Sequence, residues 1–186
     1  EEKYHGVCLI DIGASTTSIC VYREDKLVYT HCFAEGGHHA TLDISMLLDV
    51  TIVEAETMKK NQASVDRHGI DSSQFFTIKR SQYNDEKTIN MLELLEVTEA
   101  RYLSILSNIK AALDQEGLSN FLQQGYVITG GGADMRGLTA QLADLQERRV
   151  AAEARFEELD MQLADSQERE AQLGDKVIEA ERKLAA

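Results

Sequence analysis

The sequence predicts an α/β fold, a mixed sheet with flanking helices that leads into a long coiled-coil helix. Three observations predict it. The apolar run Gly6-Val7-Cys8-Leu9-Ile10 ends in the small-residue turn Asp11-Ile12-Gly13-Ala14-Ser15-Thr16-Thr17-Ser18. A second apolar run, Tyr126-Val127-Ile128, ends in Thr129-Gly130-Gly131-Gly132-Ala133. From Leu138 onward the grammar changes to Ala, Glu, Gln and Arg with leucines at alternating spacings of three and four. The first two patterns read as buried strands running into tight turns, the third as heptads.

The N-terminal elements follow in order. Val7–Asp11, Ile19–Tyr22 and Leu27–Phe33 are apolar stretches joined by short polar turns, the second being Arg23-Glu24-Asp25-Lys26, and they predict an antiparallel meander. Gly36-Gly37 ends it. Helices are expected over Thr41–Leu48 and Val53–Lys60, the latter with Thr51 as N-cap and Glu54 closing a capping box. Phe75–Lys79 and about Glu86–Ile89 read as two strands paired around Gln82–Asp85. Ile89 to about Leu113 carries Leu92, Leu95, Tyr102, Ile105, Leu106 and Ile109 at helical spacing, and Gly117 stops that helix. Tyr126–Thr129 is expected to join the meander.

Two regions result, a head at residues 1–137 and a helix at 138–186, with a small inserted subdomain at about 61–90 in the head. In the helix, Leu138, Leu142, Leu145, Ala152, Phe156, Leu159, Leu163, Leu173, Val177, Ala180 and Leu184 form a seam that Arg149, Ser166 and Glu170 interrupt. Asp144/Arg148, Asp165/Arg169 and Glu179/Lys183 stand four apart with the acid first, the favourable order. A stripe of that length predicts a homodimer through residues 138–184.

Composition excludes several function classes. A net charge of −13 disfavours nucleic acid and direct adsorption to anionic membranes, both of which need Lys and Arg. No apolar run approaches the ~20 residues that span a bilayer, so direct membrane insertion is not expected. Cys8, Cys20 and Cys32 lack zinc spacing and fall one to a strand, which predicts buried, reduced thiols in a cytosol. The chain opens Glu-Glu without Met, as expected of a fragment or processed product.

The two turns carry the chemistry. Glycine lets backbone N–H groups approach an anion without a side chain intervening. Asp11 followed by Gly13, Ser15, Thr16 and Thr17 suits a phosphate with its magnesium ion, the carboxylate holding the metal or its waters while N–H and O–H groups hold oxygens. Either turn alone is as well read as a strand ending in a tight loop; in this order they suggest half of a nucleotide clamp. Glu56 and Lys59 share one helix face between them, a solvated ion pair unless the turns draw them into a site. Asp43 is read as a hydrogen-bond partner of the neighbouring Gly-Gly loop, and His38 and His39 as exposed loop residues.

Asp11-Ile12-Gly13…Thr16-Thr17, the hairpin, Gly36-Gly37…Thr41-Leu42-Asp43-Ile44, Glu54-Ala55-Glu56-Thr57-Met58-Lys59 and Val127-Ile128-Thr129-Gly130-Gly131-Gly132-Ala133 resemble the actin-like ATPases, and most closely the FtsA family of bacterial cell division. The resemblance covers residues 1 to about 138. It implies an actin-like (ribonuclease H-like) second-half domain, incomplete here, with a phosphate turn at 11–18 and an adenosine turn at 129–133. It implies ATP and magnesium as cofactors: Asp11, Gly13, Ser15, Thr16 and Thr17 at the phosphates and metal, Glu56 and Lys59 flanking adenine and ribose, and Gly130, Gly131 and Gly132 against the nucleoside. No catalytic residue is assigned. The first half of the clamp lies outside the sequence, so turnover by this chain alone is not expected. In the family the implied partners are the tubulin-like FtsZ and further copies of itself, at the cytoplasmic face of the inner membrane. The turn Asp-Ile-Gly-Ala-Ser-Thr-Thr is also similar to the PilM family of type IV pilus assembly, which keeps open a pilus scaffold, and a coil-dimerised structural module without nucleotide function remains a third reading.

Overall fold

The computed structural model describes residues 2–80 and 85–143, with residues 155, 158, 159, 161, 162 and 167 beyond them. The compact head runs to Ala143, and residues 144–186 form a second unit. The head's elements are α1 (Glu2–His5), β1 (Val7–Ile12), β2 (Thr17–Arg23), β3 (Lys26–Phe33), α2 (Gly37–Leu47), α3 (Ile52–Asn61), β4 (Phe75–Arg80), β5 (Asp85–Asn90), α4 (Met91–Gln115) and β6 (Tyr126–Thr129).

One four-stranded sheet has the order β3-β2-β1-β6. Strands β1, β2 and β3 are antiparallel, and β6 runs parallel to β1. The β2–β3 turn takes Glu24 and Asp25 through positive φ (51 and 59), the twist a two-residue hairpin needs. Alternation along β1 and β2 sends Cys8, Ile10, Ile12, Ile19 and Val21 to one face, where they pack on Tyr102, Ile105, Leu106, Ile109 and Leu113 of α4. A second cluster joins Ile44 of α2, Ala55 and Met58 of α3, Ile89 of β5 and Leu94 of α4. The β4–β5 hairpin is a separate two-stranded sheet; of the turn expected at Gln82–Asp85, Asp85 opens β5 and the rest lies outside the described residues.

Local chemistry explains where helices begin. Thr51 accepts from the Glu54 amide while Glu54 accepts from the Thr51 amide, so α3 starts on its capping box. Asn90 accepts from the Leu92 amide and sets the start of α4 at Met91. Helix α2 starts at Gly37, four residues before the expected Thr41, because neighbours hold its first amides. Gly37 N donates to Gly13 O at 2.9 Å and His38 N to Ala14 O at 2.7 Å.

Three sequence expectations are corrected. Only Cys8 is buried; Cys20 is half-buried and Cys32 exposed, because they project from the sheet face that α4 does not cover. His38 and His39 are not loop residues: both lie in the first turn of α2, and the His39 Nδ1 accepts from Gly36 N at 3.1 Å. Asp43 bonds Arg101 of α4 rather than the glycine loop, since that guanidinium offers the carboxylate a two-pronged partner.

Residues 138–143 are helical. Leu138 and Leu142 are buried in the sheet's own core, a role heptad spacing does not distinguish from a dimer seam. The second unit is helical at its described positions, with Arg155 bonded to Glu158 at 2.5 Å and Gln162 to Glu158 at 3.2 Å. Of the seam beyond Asp144, Leu159 is described and is exposed; its other positions and the charge pairs fall outside the described residues. Among the described residues no helix is long and apolar enough to cross a membrane.

Candidate functional site

The parallel pairing of β1 with β6 brings the two turns together, since Asp11 is in register with Thr129. Both strands therefore end at the same edge, and Gly130 leaves β6 directly beside the Asp11 carboxylate. Gly130 has φ +85, and a Cβ there would stand 2.3 Å from Asp11 Oδ1 and 2.6 Å from Ile12 O. A Cβ at Gly132 would stand 2.3 Å from Ile12 Cγ2, whereas Gly131 faces open space. Glycine is thus required where the two strand ends touch.

The 11–18 turn is closed by Gly13 N donating to Thr16 O at 2.8 Å. Ala14, Ser15 and Thr16 are exposed, so the two hydroxyls face solvent. Thr17 turns inward: it is fully buried and its hydroxyl donates to Glu35 O at 2.7 Å. Gly36 rides on the turn, where a Cβ would meet Gly13 O at 2.6 Å.

Between the turns lies a cleft of about 800 Å3, walled by Gly13, Ala14, Gly37, Thr41, Glu56, Thr57, Lys59, Tyr102, Gly131, Gly132 and Arg136, with Ile52, Val53 and Met135 as its apolar residues. A volume of that order suits a nucleotide-sized ligand. Of the sequence-derived site residues, Gly13, Glu56, Lys59, Gly131 and Gly132 line it. Asp11, Ser15, Thr16 and Gly130 sit at the joined strand ends outside its walls, and Thr17 lies beneath the turn.

Glu56 is the electrostatic centre. Its carboxylate receives Lys59 Nζ at 2.7 Å and Lys60 Nζ at 3.1 Å, and the hydroxyl of the fully buried Thr41. Burial would raise this carboxyl, but the hydrogen bonds from Lys59, Thr41 and Lys60 outweigh it and hold it at about 2. Tyr102 donates to Gly132 O at 3.2 Å, and burial together with the nearby Glu56 charge pushes its phenol up to about 12. Arg136 closes the far end, its guanidinium donating to Ala63 O at 3.1 Å and Asn61 O at 3.0 Å at the C-terminus of α3. Thr41, Lys60, Tyr102, Arg136 and His38 were missed in the sequence. Lys60 and Arg136 had a signal, one lying a helical turn from Glu56 and the other just past the glycine turn; Thr41 and Tyr102 read as ordinary helix residues.

The residues present fit a nucleotide with a metal ion. Two glycine turns converge where a Cβ at Gly130 or Gly132 would intrude on the end of β1, one exposed carboxylate and two exposed hydroxyls stand at their junction, and an apolar wall adjoins the cleft. Among the described residues no cluster of three or more metal-ligating side chains exists.

Comparison with solved structures places the fold. MreB5 of Spiroplasma citri bound to AMPPNP superposes with a TM-score of 0.65 at 21% identity, over 79% of this chain and 48% of that one. The PilM-PilN type IV pilus biogenesis complex gives 0.56 at 18% identity, over 78% and 34%. The fold is the actin-like one. Among curated proteins, cell division protein FtsA of Bacillus subtilis is 32% identical over 150 residues, 81% of this chain and 34% of the relative. That of Pseudomonas aeruginosa is 32% identical over 139 residues, 74% and 33%. The chain thus spans about a third of the length of these relatives. The family model described as cell division protein FtsA matches residues 8–171, running on past Leu138. On these likenesses the chain belongs to the FtsA family of cell division proteins.

Proposed function

We propose that this chain is the nucleotide-binding second half of an FtsA-type division protein, holding the phosphates and magnesium of ATP at the Asp11 turn and the nucleoside in the cleft beside Gly130–Gly132. The observation that carries the reading is the approach of Gly130 to the Asp11 carboxylate across β1 and β6. In this reading Asp11 holds the metal through water or phosphate, the Ser15 and Thr16 hydroxyls meet phosphate oxygens, and Glu56 faces the ribose. Bound magnesium would neutralise the phosphates; the chain's own groups orient them. The partners in this reading are FtsZ and further copies of the protein at the cytoplasmic face of the inner membrane.

Titration calorimetry with magnesium-ADP tests it. Saturable binding in the millimolar range that Asp11→Ala abolishes supports the reading. No binding by the wild-type chain, or binding indifferent to Asp11, would sink it and leave the alternative of a head without nucleotide function. We place a head, with an inserted subdomain at about 61–90, before a coil; the expected head boundary at 137 moves on and the dimer seam at 138–184 is cut back, since the head's core takes Leu138 and Leu142, so that the coil dimerises through residues 145–184. Sedimentation decides the last point, a monomer at high micromolar concentration excluding it. The pilus reading draws on the fold likeness to the PilM-PilN complex and on the Asp-Ile-Gly-Ala-Ser-Thr-Thr turn, whereas the family match favours division.

A further inference from the structure

Lys59 is unusually committed for a cleft cation. Its ammonium donates to Glu56 Oε2 at 2.7 Å, Thr41 Oγ1 at 2.8 Å and Gly37 O at 2.9 Å. An ammonium has three N–H donors, and these contacts use all of them. Its side chain is only 12% exposed, against 69% for Lys60, which makes a single ion pair with Glu56 and keeps donors for a ligand. Lys59 therefore has nothing left for a ribose hydroxyl or a phosphate unless it gives up a protein partner.

What it holds is the joint between the cleft and the first turn. Gly37 lies against three elements at once: its amide donates to Gly13 O, and a Cβ on it would stand 3.8 Å from Lys59 Nζ and 3.9 Å from the Gly132 Cα. His38 N continues the tie to Ala14 O. One ammonium thus links α3 to the start of α2, and two amides link that start to the 13–14 turn.

We propose that Lys59 is a positioning residue: it fixes Gly37, and through the Gly37 and His38 amides it sets the Gly13–Ala14 turn, so that α3 holds the phosphate turn in shape. The consequence for affinity rests on the nucleotide reading; the tie itself does not. Thr41 completes the device, since one buried hydroxyl accepts from Lys59 and donates to Glu56.

Amide hydrogen exchange on the nucleotide-free chain reads the tie directly. Lys59→Met should speed exchange at Gly37 and His38 by about tenfold, the loss of one charge-assisted hydrogen bond, with the β2–β3 amides unchanged. Thr41→Val should move the same amides in the same direction and Thr41→Ser restore them; this pair decides the matter if Lys59→Met does not fold. Gly37 and His38 exchange unchanged in Lys59→Met, or unrestored by Thr41→Ser, overturns the proposal. A second arm compares ligands. Lys59→Met should weaken magnesium-ADP about tenfold while leaving adenosine unaffected; equal losses would make Lys59 a direct nucleoside ligand and overturn it. If the wild-type chain binds neither, the nucleotide reading falls and the exchange result still decides whether the tie exists.

Discussion

Asp11 and Gly130 meet with room for a hydrogen and nothing larger, an added Cβ lying 2.3 Å from the carboxylate oxygen. The contact joins the ends of two parallel strands far apart in sequence, so it depends on the whole β1–β6 pairing. Gly130→Ala should cost more than about 2 kcal/mol, from the positive φ and the overlap with Asp11 and Ile12 O together. Urea unfolding measures it. Gly131→Ala, where a Cβ meets open space, is the control and should cost far less; equal costs would mean the glycine turn is not wedged against β1.

Helix α2 is tied to α4 by a two-pronged ion pair, Arg101 Nε to Asp43 Oδ2 at 2.6 Å and a terminal nitrogen to Oδ1 at 3.1 Å. Glu35 Oε2 stands 3.6 Å from the same guanidinium and has no hydrogen-bond partner. Removing the cation leaves two half-buried carboxylates without the guanidinium they share. Arg101→Met should therefore destabilise by about 2 kcal/mol, and Arg101→Lys should recover little of it because an ammonium cannot match the fork. A lysine variant as stable as wild type would show that only the charge matters.

These two contacts mark what the sequence could and could not reveal. The strands, the α3 capping box and the convergence of the glycine turns were legible because each is written in local chemistry: alternation, a Thr-x-x-Glu spacing, a strand running into small residues. Asp43 was misplaced because its partner lies in α4, and no local rule names a residue so distant. Thr41 and Tyr102 were invisible as site residues for the same reason: a threonine and a tyrosine on apolar helix faces look like core. Leu138 and Leu142 satisfied the heptad rule and the sheet core alike, so spacing could not say that the core takes them. Cys20 and Cys32 look as apolar in sequence as Cys8; only the side of the sheet covered by α4 separates them.

That sidedness predicts an order of thiol reactivity. Cys32 is exposed, Cys20 half-buried and Cys8 buried, and burial, helped by the nearby Cys20, pushes the Cys8 thiol up to about 12. Since the thiolate is the reactive form, Cys8 should be inert in the folded chain. Titration with a chromogenic disulfide at pH 8 should release two equivalents natively, Cys32 first, and the third only in denaturant. Native reaction at Cys8 would mean that the face under α4 opens readily.

Glu56 gives stability a defined dependence on acid. Its carboxyl lies at about 2 in the fold against an ordinary 4.5, because the bonds from Lys59, Thr41 and Lys60 overcome the effect of burial. A carboxyl that holds its proton less tightly when folded stabilises the fold fully above its unfolded value. That stabilisation fades as pH drops from about 4.5 toward 2. The side chain is 34% exposed, so solvent screens part of the effect. Asp66, Asp71 and Asp85 are also held below their ordinary value, by bonds from His68, Ser73 and Arg80. Comparing wild type with Glu56→Gln cancels their contribution. The urea midpoints of the two proteins should differ most above pH 5 and converge as pH falls toward 2. A gap that stays constant across that range would mean that the Glu56 charge contributes nothing and that the amide's geometry accounts for the whole difference.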